Sequence, residues 1–321
     1  VGSTGPRALA RLLSRVEAGE HVEDVSAGAA AEGPGQFNKA RVIGLTGAPG
    51  VGKSTMTSAL IARYRAVGKR VGVLAIDPSS PFTGGALLGD RIRMQEHATD
   101  DGVFIRSMAS RGHLGGLAAA TPRAVRVLDG AGFDVIIVET VGVGQAEVDI
   151  ASQADSVIVL LAPGMGDAVQ AAKAGILETG DLFVVNKADK PDAQAVVRDL
   201  RGMLALGNWD NGWKPRILTA IAQEAEGVAE VVEALDAHAE WLTASGELDR
   251  RRLARAEAEI LALALGAVRA RVCATDVTSL ASKVAAGTLD PFAAATDLLA
   301  AAGFPGMALT PDRSDGTVLD E

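Results

Sequence analysis

The stretch Gly47-Ala48-Pro49-Gly50-Val51-Gly52-Lys53-Ser54-Thr55 decides the fold. It satisfies the pattern G-x-x-x-x-G-K-[ST] in full. It also sits in the required context, between an apolar run predicted as a strand, Arg41–Thr46, and a helical run starting near Ser54. Gly47, Gly50 and Gly52 let the backbone wrap closely around a phosphate, while exposed N–H groups and the helix dipole favour an anion. On this pattern Lys53 contacts the β and γ phosphates, Ser54 ligates magnesium, and Thr55 supports the adjoining backbone and phosphate contacts. A plain glycine-rich turn is the alternative; motif and context together set it aside.

Outward from this loop, short apolar runs alternate with helical patterns. Strands are predicted over Arg41–Thr46, Val71–Ile76, Val103–Ser107, Asp134–Glu139, Ser156–Leu161, Leu182–Val185 and Arg216–Thr219. Helices are predicted over Ser54–Val67, Thr121–Gly130, Val169–Leu177, Ala193–Ala205 and Glu224–His238. Continuous apolar strands separated by helices imply an α/β fold with a mainly parallel central sheet covered on both faces. The pattern leaves the strand order open. Ala8–Glu17 reads as an amphipathic helix, and a small-residue stretch follows it. From about Leu242 the strand series stops, and three helical runs follow: Leu248–Arg269, Asp276–Ala286 and Pro291–Ala301. The expected division is an N-terminal helical extension (1–38), a P-loop domain (39–241) and a C-terminal helical arm and tail (242–321) whose apolar faces suit a second subunit.

Asn186-Lys187-Ala188-Asp189 follows the strand Leu182–Val185. In a P-loop protein, NKxD is a guanine reader. The Asp189 carboxylate accepts from guanine N1–H and the exocyclic amine, a donor pair that adenine lacks. Asn186 braces the loop and the Lys187 stem lies over the base. Thr219-Ala220, after the last strand, either supplies a backbone contact to guanine O6 or is a simple strand exit. The substrate on this reading is GTP and the product GDP.

Acidic and glycine-rich segments after the strands form the candidate switches. Asp77, Asp90 and Glu139 are candidate metal-site carboxylates, with polar caps at strand ends as the competing reading. Glu139 is placed to sense metal and γ phosphate, and Gly142 to donate its N–H to that phosphate. Gln145 either orients water or is a switch-loop contact. Arg106 ends a predicted strand before a loop holding Arg111 and His113, and a second flexible candidate contains Asp167, followed by Gln170 and Lys173. For His113 a structural loop role is an equal reading.

The chain has 321 residues, 48% hydrophobic and 22% charged, which is ordinary globular composition. With 31 basic and 40 acidic residues the net charge is -9, which argues against a nonspecific nucleic-acid binder. It does not oppose a triphosphate held by a few aligned donors. One cysteine, Cys273, excludes a disulfide scaffold and multi-cysteine metal sites and points to an intracellular, cytoplasmic protein. Cys273 lies in an apolar helical region and reads as buried filler. No apolar run reaches the roughly 18 residues of a membrane span, and the first residues show no secretory h-region.

The assembled motifs resemble the MeaB/ArgK/MMAA family of P-loop GTPases. The matching pieces are GAPGVGKST, DPSSPFTGGALLGDRIRM at Asp77–Met94, FIRSMASRGHLGG at Phe104–Gly116, VIIVETVGVGQAEVD at Val135–Asp149 and VVNKAD at Val184–Asp189. The resemblance spans roughly Leu9 to Ala301. It implies a homodimeric, Mg2+-dependent GTPase that chaperones an adenosylcobalamin-dependent acyl-CoA mutase, foremost methylmalonyl-CoA mutase. Such a chaperone loads, protects and reactivates the mutase's cofactor, with a cobalamin adenosyltransferase reached through the mutase complex. Adenosylcobalamin then belongs to the partner. The resemblance carries Lys53 and Ser54 to phosphate and magnesium, Asp77, Asp90 and Glu139 to the metal and switch system, and Asn186 and Asp189 to guanine. It also assigns Asp167, Gln170 and Lys173 to a partner-responsive switch. Met165 and Ala146 depart from the family pattern, and Met165 loosens the inference about switch coupling. Two alternatives stand beside this reading. A nickel-enzyme maturation GTPase is opposed by four scattered histidines and one cysteine. A nucleotide-dependent interaction module would show little hydrolysis.

Overall fold

A computed structural model describes residues 5–18, 20, 39–77, 95–97, 99–109, 120–140, 150–164, 179–207, 209 and 212–306. Seven strands form one sheet: β1 (Arg41–Thr46), β2 (Val71–Asp77), β3 (Val103–Ala109), β4 (Val135–Thr140), β5 (Ser156–Leu161), β6 (Leu182–Val185) and β7 (Arg216–Thr219). Their order is β3-β2-β4-β1-β5-β6-β7, and every pairing is parallel. This is the α/β P-loop NTPase fold expected from the sequence. The helices are α1 (Pro6–Glu17), α2 (Lys53–Ala66), α3 (Thr121–Gly130), α4 (Ala193–Leu204), α5 (Val228–Ala244), α6 (Glu247–Cys273), α7 (Thr278–Ala285) and α8 (Pro291–Ala301).

Alternate residues of the strands point to opposite faces, and the core divides accordingly. Val42, Ile136, Val138, Val157 and Val159 face one cluster, which includes Leu9 and Leu13 of α1, Leu128 of α3 and Leu200 of α4. Ile43, Leu45, Ile137, Ile158 and Leu160 face the other, with Met56, Leu60 and Ile61 of α2 and Val231 and Leu235 of α5. Strands buried on both faces need apolar residues on both, which is why β4 and β5 read as mainly apolar runs, with polar residues only at their ends. In α1 the buried Leu9, Leu13 and Val16 recur at helical spacing, and Pro6 opens the first turn.

β1 lies between β4 and β5, so the loop leaving its carboxyl end is flanked by both. Leu45 stands beside Glu139 of β4 and Ile158 of β5 in register. The chain runs one way from β1 to β2 and the other way from β4 to β5, and the crevice at such a switch point is where α/β sheets bind ligands.

Two elements depart from expectation. β3 runs on to Ala109, so Arg106 is inside the strand rather than at its end. The helix expected from Glu224 starts at Val228, because Ala222–Glu224 forms a 3-10 turn and Gly227 takes a left-handed conformation ahead of the first turn. The helix expected over Val169–Leu177 lies outside the described residues.

The chain divides into two compact units, Val1–Ala256 and Glu257–Glu321, with the division inside α6. In the first unit, the amino-terminal edge of the sheet carries a buried charged group. Asp155 accepts from Val42 N–H at 3.0 Å and pairs with Arg252 at 3.1 Å and Arg255 at 2.6 Å. Asp181 accepts from Val157 N–H at 2.8 Å and takes two nitrogens of Arg251, both at 2.9 Å. His238, fully buried, meets Ser156 Oγ through Nδ1 at 2.9 Å and lies against Trp213 and Trp241. In the second unit Asp290 caps α8 by accepting from Phe292 and Ala293 N–H. Ile260, Leu261, Leu263 and Leu265 are exposed on α6, and Cys273, expected to be buried filler, is exposed at the end of that helix.

Candidate functional site

Gly47, Gly50 and Gly52 all have positive φ, at 142°, 83° and 99°. A Cβ at Gly47 would stand 2.1 Å from Leu160 O, and one at Gly52 would stand 2.4 Å from Asn186 Nδ2. Both conformation and space therefore demand glycine at these two positions. Gly52 is the N-cap of α2, and Lys53 opens the helix. The Lys53 ammonium donates to Gly47 O at 2.7 Å and Ala48 O at 3.0 Å. This buried cation is thereby held inside the loop that it would serve.

Beneath the loop, Glu139 near the end of β4 is 2% exposed. Ser54 Oγ donates to its Oε1 at 2.8 Å, and Thr57 Oγ1 donates to its Oε2 at 2.7 Å. Thr140 Oγ1 donates to Thr46 Oγ1 at 3.1 Å, tying the ends of β4 and β1. A serine hydroxyl beside a carboxylate is a hard oxygen donor set. Magnesium, which keeps few protein ligands and takes the rest from water and phosphate, fits such a set. Among the described residues no three His, Cys, Asp or Glu side chains gather into a metal-binding group.

The loop after β6 is joined directly to the first. Asn186 Nδ2 donates to Val51 O at 2.8 Å, while its Oδ1 accepts from Ala222 N–H at 3.0 Å. Lys187, in a left-handed conformation at φ 55°, sends Nζ to Gly50 O at 2.7 Å. Ala188 N–H donates to Ala220 O at 3.1 Å, which brings the loops after β6 and β7 together. Asp189 is exposed, with Lys190 Nζ at 3.3 Å. Thr219 is exposed and Ala220 buried.

The structure thus brings together Gly47, Ala48, Pro49, Gly50, Val51, Gly52, Lys53, Ser54 and Thr55 with Glu139, Asn186 and Lys187 at the carboxyl edge of the sheet. Asp77 closes β2 at the same edge. Arg106 is elsewhere: it pairs with Glu17 and donates to Ser14 Oγ, at 3.0 Å, of α1. Asp90, Arg111, His113, Gly142, Gln145, Asp167, Gln170 and Lys173 lie outside the described residues. Sequence reasoning overlooked Thr57 and Ala222. For Thr57 a signal existed, because positions three apart on a helix share a face and Ser54 was already singled out. Ala222 contributes through its backbone, which no motif marks.

Among the described residues no helix is long and apolar enough to cross a membrane.

Residues 9–277 match the family model of the methylmalonyl-CoA mutase-associated GTPase MeaB. A predicted GTPase of Pyrococcus abyssi is 49% identical over 267 residues, covering 81% of this chain and 82% of the relative. The GTPase ArgK of Escherichia coli is 41% identical over 214 residues, 65% of each chain. The crystal structure of an LAO/AO transport system kinase superposes with a TM-score of 0.61 at 27% identity, covering 91% of this chain and 96% of the other. With a P-loop and an NKxD loop cross-linked at one edge of the sheet, and a family match over most of its length, this chain is a P-loop GTPase and belongs to the MeaB/ArgK/MMAA family.

Proposed function

We propose that the GTPase cycle of this chain serves an adenosylcobalamin-dependent acyl-CoA mutase, methylmalonyl-CoA mutase first among candidates, in loading, protecting and reactivating its cofactor. Cobalamin stays on the mutase, and an adenosyltransferase is reached through that complex. The chain acts as a homodimer, for which the exposed leucines of α6 offer apolar surface. The support for the partner is the family match over residues 9–277.

For the nucleotide, the single supporting observation is Asn186. Its side chain spans from Val51 O in the phosphate loop to Ala222 N–H beyond β7, so base and phosphate loops form one body. In this reading Asp189 accepts from guanine N1–H and the 2-amino group; adenine would leave the carboxylate unmatched. The Lys187 stem covers the base, and the loop ending at Thr219-Ala220 offers its backbone to O6. Lys53 moves its ammonium from the carbonyls of Gly47 and Ala48 to the β and γ phosphates. The backbone N–H groups of the loop from Gly50 to Thr55 steady the charge that develops as water attacks the γ phosphorus in line. Magnesium, when bound, supplies the balancing positive charge on the phosphate oxygens. Ser54 would hold it together with Asp77 and Asp90, and Glu139 orients Ser54. Gly142 senses the γ phosphate. Arg106, Arg111, His113, Gln145, Asp167, Gln170 and Lys173 serve the switch and partner response. No residue is assigned as arginine finger or general base, so basal turnover is slow and rises on the partner.

Lys53→Ala is expected to lower GTP turnover by about 100-fold or more, as loss of one transition-state donor does. Asp189→Asn is expected to weaken preference for GTP over ATP by about 10- to 100-fold. Normal turnover in the first, or unchanged base preference in the second, removes that assignment. The partner is tested by pull-down against candidate mutases with no nucleotide, GTP or GDP, then by GTPase assay on any complex. Failure to bind any cobalamin-dependent mutase removes the chaperone role and leaves the GTPase intact.

A further inference from the structure

Thr57 is fully buried one turn along α2 from Ser54, on the same face of the helix. The two hydroxyls divide the Glu139 carboxylate between them: Ser54 Oγ on Oε1 at 2.8 Å, Thr57 Oγ1 on Oε2 at 2.7 Å. A serine hydroxyl has one hydrogen and two acceptor lone pairs. With its hydrogen spent on Glu139, Ser54 presents its lone pairs away from the carboxylate, which is the face a hard cation takes. That orientation holds only as well as the carboxylate plane holds. The terminal torsion of a glutamate is broad and soft, and the Thr57 bond to the far oxygen opposes its rotation.

We propose that Thr57 is a positioning residue for the magnesium–nucleotide site, fixing Glu139 so that Glu139 in turn fixes the Ser54 hydroxyl. The inference rests on the magnesium role given to Ser54 above. It assigns Thr57 no contact with substrate or cation. Groups that orient a metal ligand in this indirect way commonly carry a large share of metal affinity.

The test uses the full chain and reads binding rather than turnover. Affinity for a fluorescent GDP is measured across a Mg2+ titration, with EDTA as the zero point, for wild type, Thr57→Val and Thr57→Ser. Valine keeps the shape of threonine without its hydroxyl; serine keeps the hydroxyl without the methyl. Thr57→Val is expected to need about tenfold more Mg2+ for half of the tightening. Its affinity in EDTA should stay within about twofold of wild type, and Thr57→Ser should restore the wild-type midpoint. If Thr57→Val is insoluble, Thr57→Ala replaces it under the same criteria. A valine variant with the wild-type Mg2+ midpoint overturns the proposal. So does a serine variant as impaired as valine, since the buried methyl group would then be what matters. A wild-type protein whose GDP affinity ignores Mg2+ overturns the magnesium reading itself, and this inference falls with it.

Discussion

Glu139, near the carboxyl end of β4, and Asp155, just ahead of β5, are each 2% exposed, yet they meet different kinds of donor. Glu139 accepts from the hydroxyls of Ser54 and Thr57. Asp155 pairs with Arg252 and Arg255, and its neighbour Asp181 takes the fork of Arg251. Burial pushes the Asp155 carboxyl up, but Arg255 and Arg252 outweigh it and hold it below the ordinary range. A hydroxyl can turn to a new partner without leaving a bare charge in the protein interior. A guanidinium cannot, because removing either member of a buried pair leaves the other uncompensated. The carboxyl edge, where the nucleotide is proposed to bind, is built from donors that can be re-partnered. The edge that anchors the first turns of α6 is built from pairs that cannot.

The largest expected effect comes from breaking the fixed edge. Asp155→Ala takes a buried carboxylate from two partly buried arginines, and such a loss costs about 3 kcal/mol. For a unit of this size that corresponds to a fall in melting temperature of roughly 10 °C. A thermal melt decides it. A fall of less than about 3 °C would show that the arginines find other partners, and the contrast between the two edges would collapse.

His238 sharpens the same contrast through pH. Burial pushes its pKa down to about 4, against the pull of Asp181 and with Arg251, Arg41 and Glu247 as smaller influences. In the unfolded chain the ordinary value is about 6.5. Between these values the unfolded chain binds the extra proton, so stability is lost as pH falls from about 6.5 to about 4, by about 3 kcal/mol in all. Asp155 has its folded value lowered, so its contribution is present above the ordinary carboxylate range and fades only at still lower pH. The melting temperature of wild type should therefore drop over the upper window, and that of His238→Phe should drop much less. Parallel curves for the two proteins would remove His238 as the cause.

How much of this was legible beforehand follows from the range of the forces involved. The seven strands were readable because each carries a short, mainly apolar run, such as 157–161 in β5. Their order was not, because the pairing of Val135–Val138 with its neighbours is set by long-range packing among runs that look alike. Gly47–Thr55 and Asn186–Asp189 stood out because their residue types and spacing are local, and the structure joins the two loops through Asn186 and Lys187. Thr57 was overlooked although its spacing from Ser54 put both on one helix face, because its partner Glu139 lies 82 positions along the chain and only the fold brings the two together. Arg251, Arg252 and Arg255 read only as members of the helical run Leu248–Arg269, because Asp155 is about a hundred positions away from Arg255 in sequence. Cys273 was misread because an apolar helical run implies burial only when something covers it.

The re-partnering edge makes a smaller prediction for stability and a larger one for function. Glu139→Gln keeps the shape and can still accept from one hydroxyl, so its cost to stability should be about 1 kcal/mol, near that of one hydrogen bond. On the proposed magnesium role of Ser54, GTP turnover should fall at least about tenfold, because the hydroxyl loses its orientation. A melt and a turnover assay on the same preparation separate the two. A large fall in melting temperature with intact turnover would mean that Glu139 is a structural carboxylate like Asp155.

The smallest effect isolates burial from ion pairing. Arg250 and Arg251 are consecutive residues in the first turns of α6, and both pair with Glu247. Arg250 is 78% exposed and Arg251 is 27% exposed, and Arg251 also reaches Asp181. An exposed pair gains little in water and is screened by salt, and a cation near a helix amino terminus opposes the helix dipole. Arg250→Ala should therefore move the melting temperature by no more than about 2 °C, whereas Arg251→Ala should lower it several-fold more by leaving the buried Asp181 short of its cation. The two melts are to be compared at low and high salt. If Arg250→Ala were as damaging as Arg251→Ala, and salt reduced both losses alike, the helix start would be held by exposed charge in general. The permanence assigned to the amino-terminal edge would then have to come from packing around His238, Trp213 and Trp241 rather than from its ion pairs.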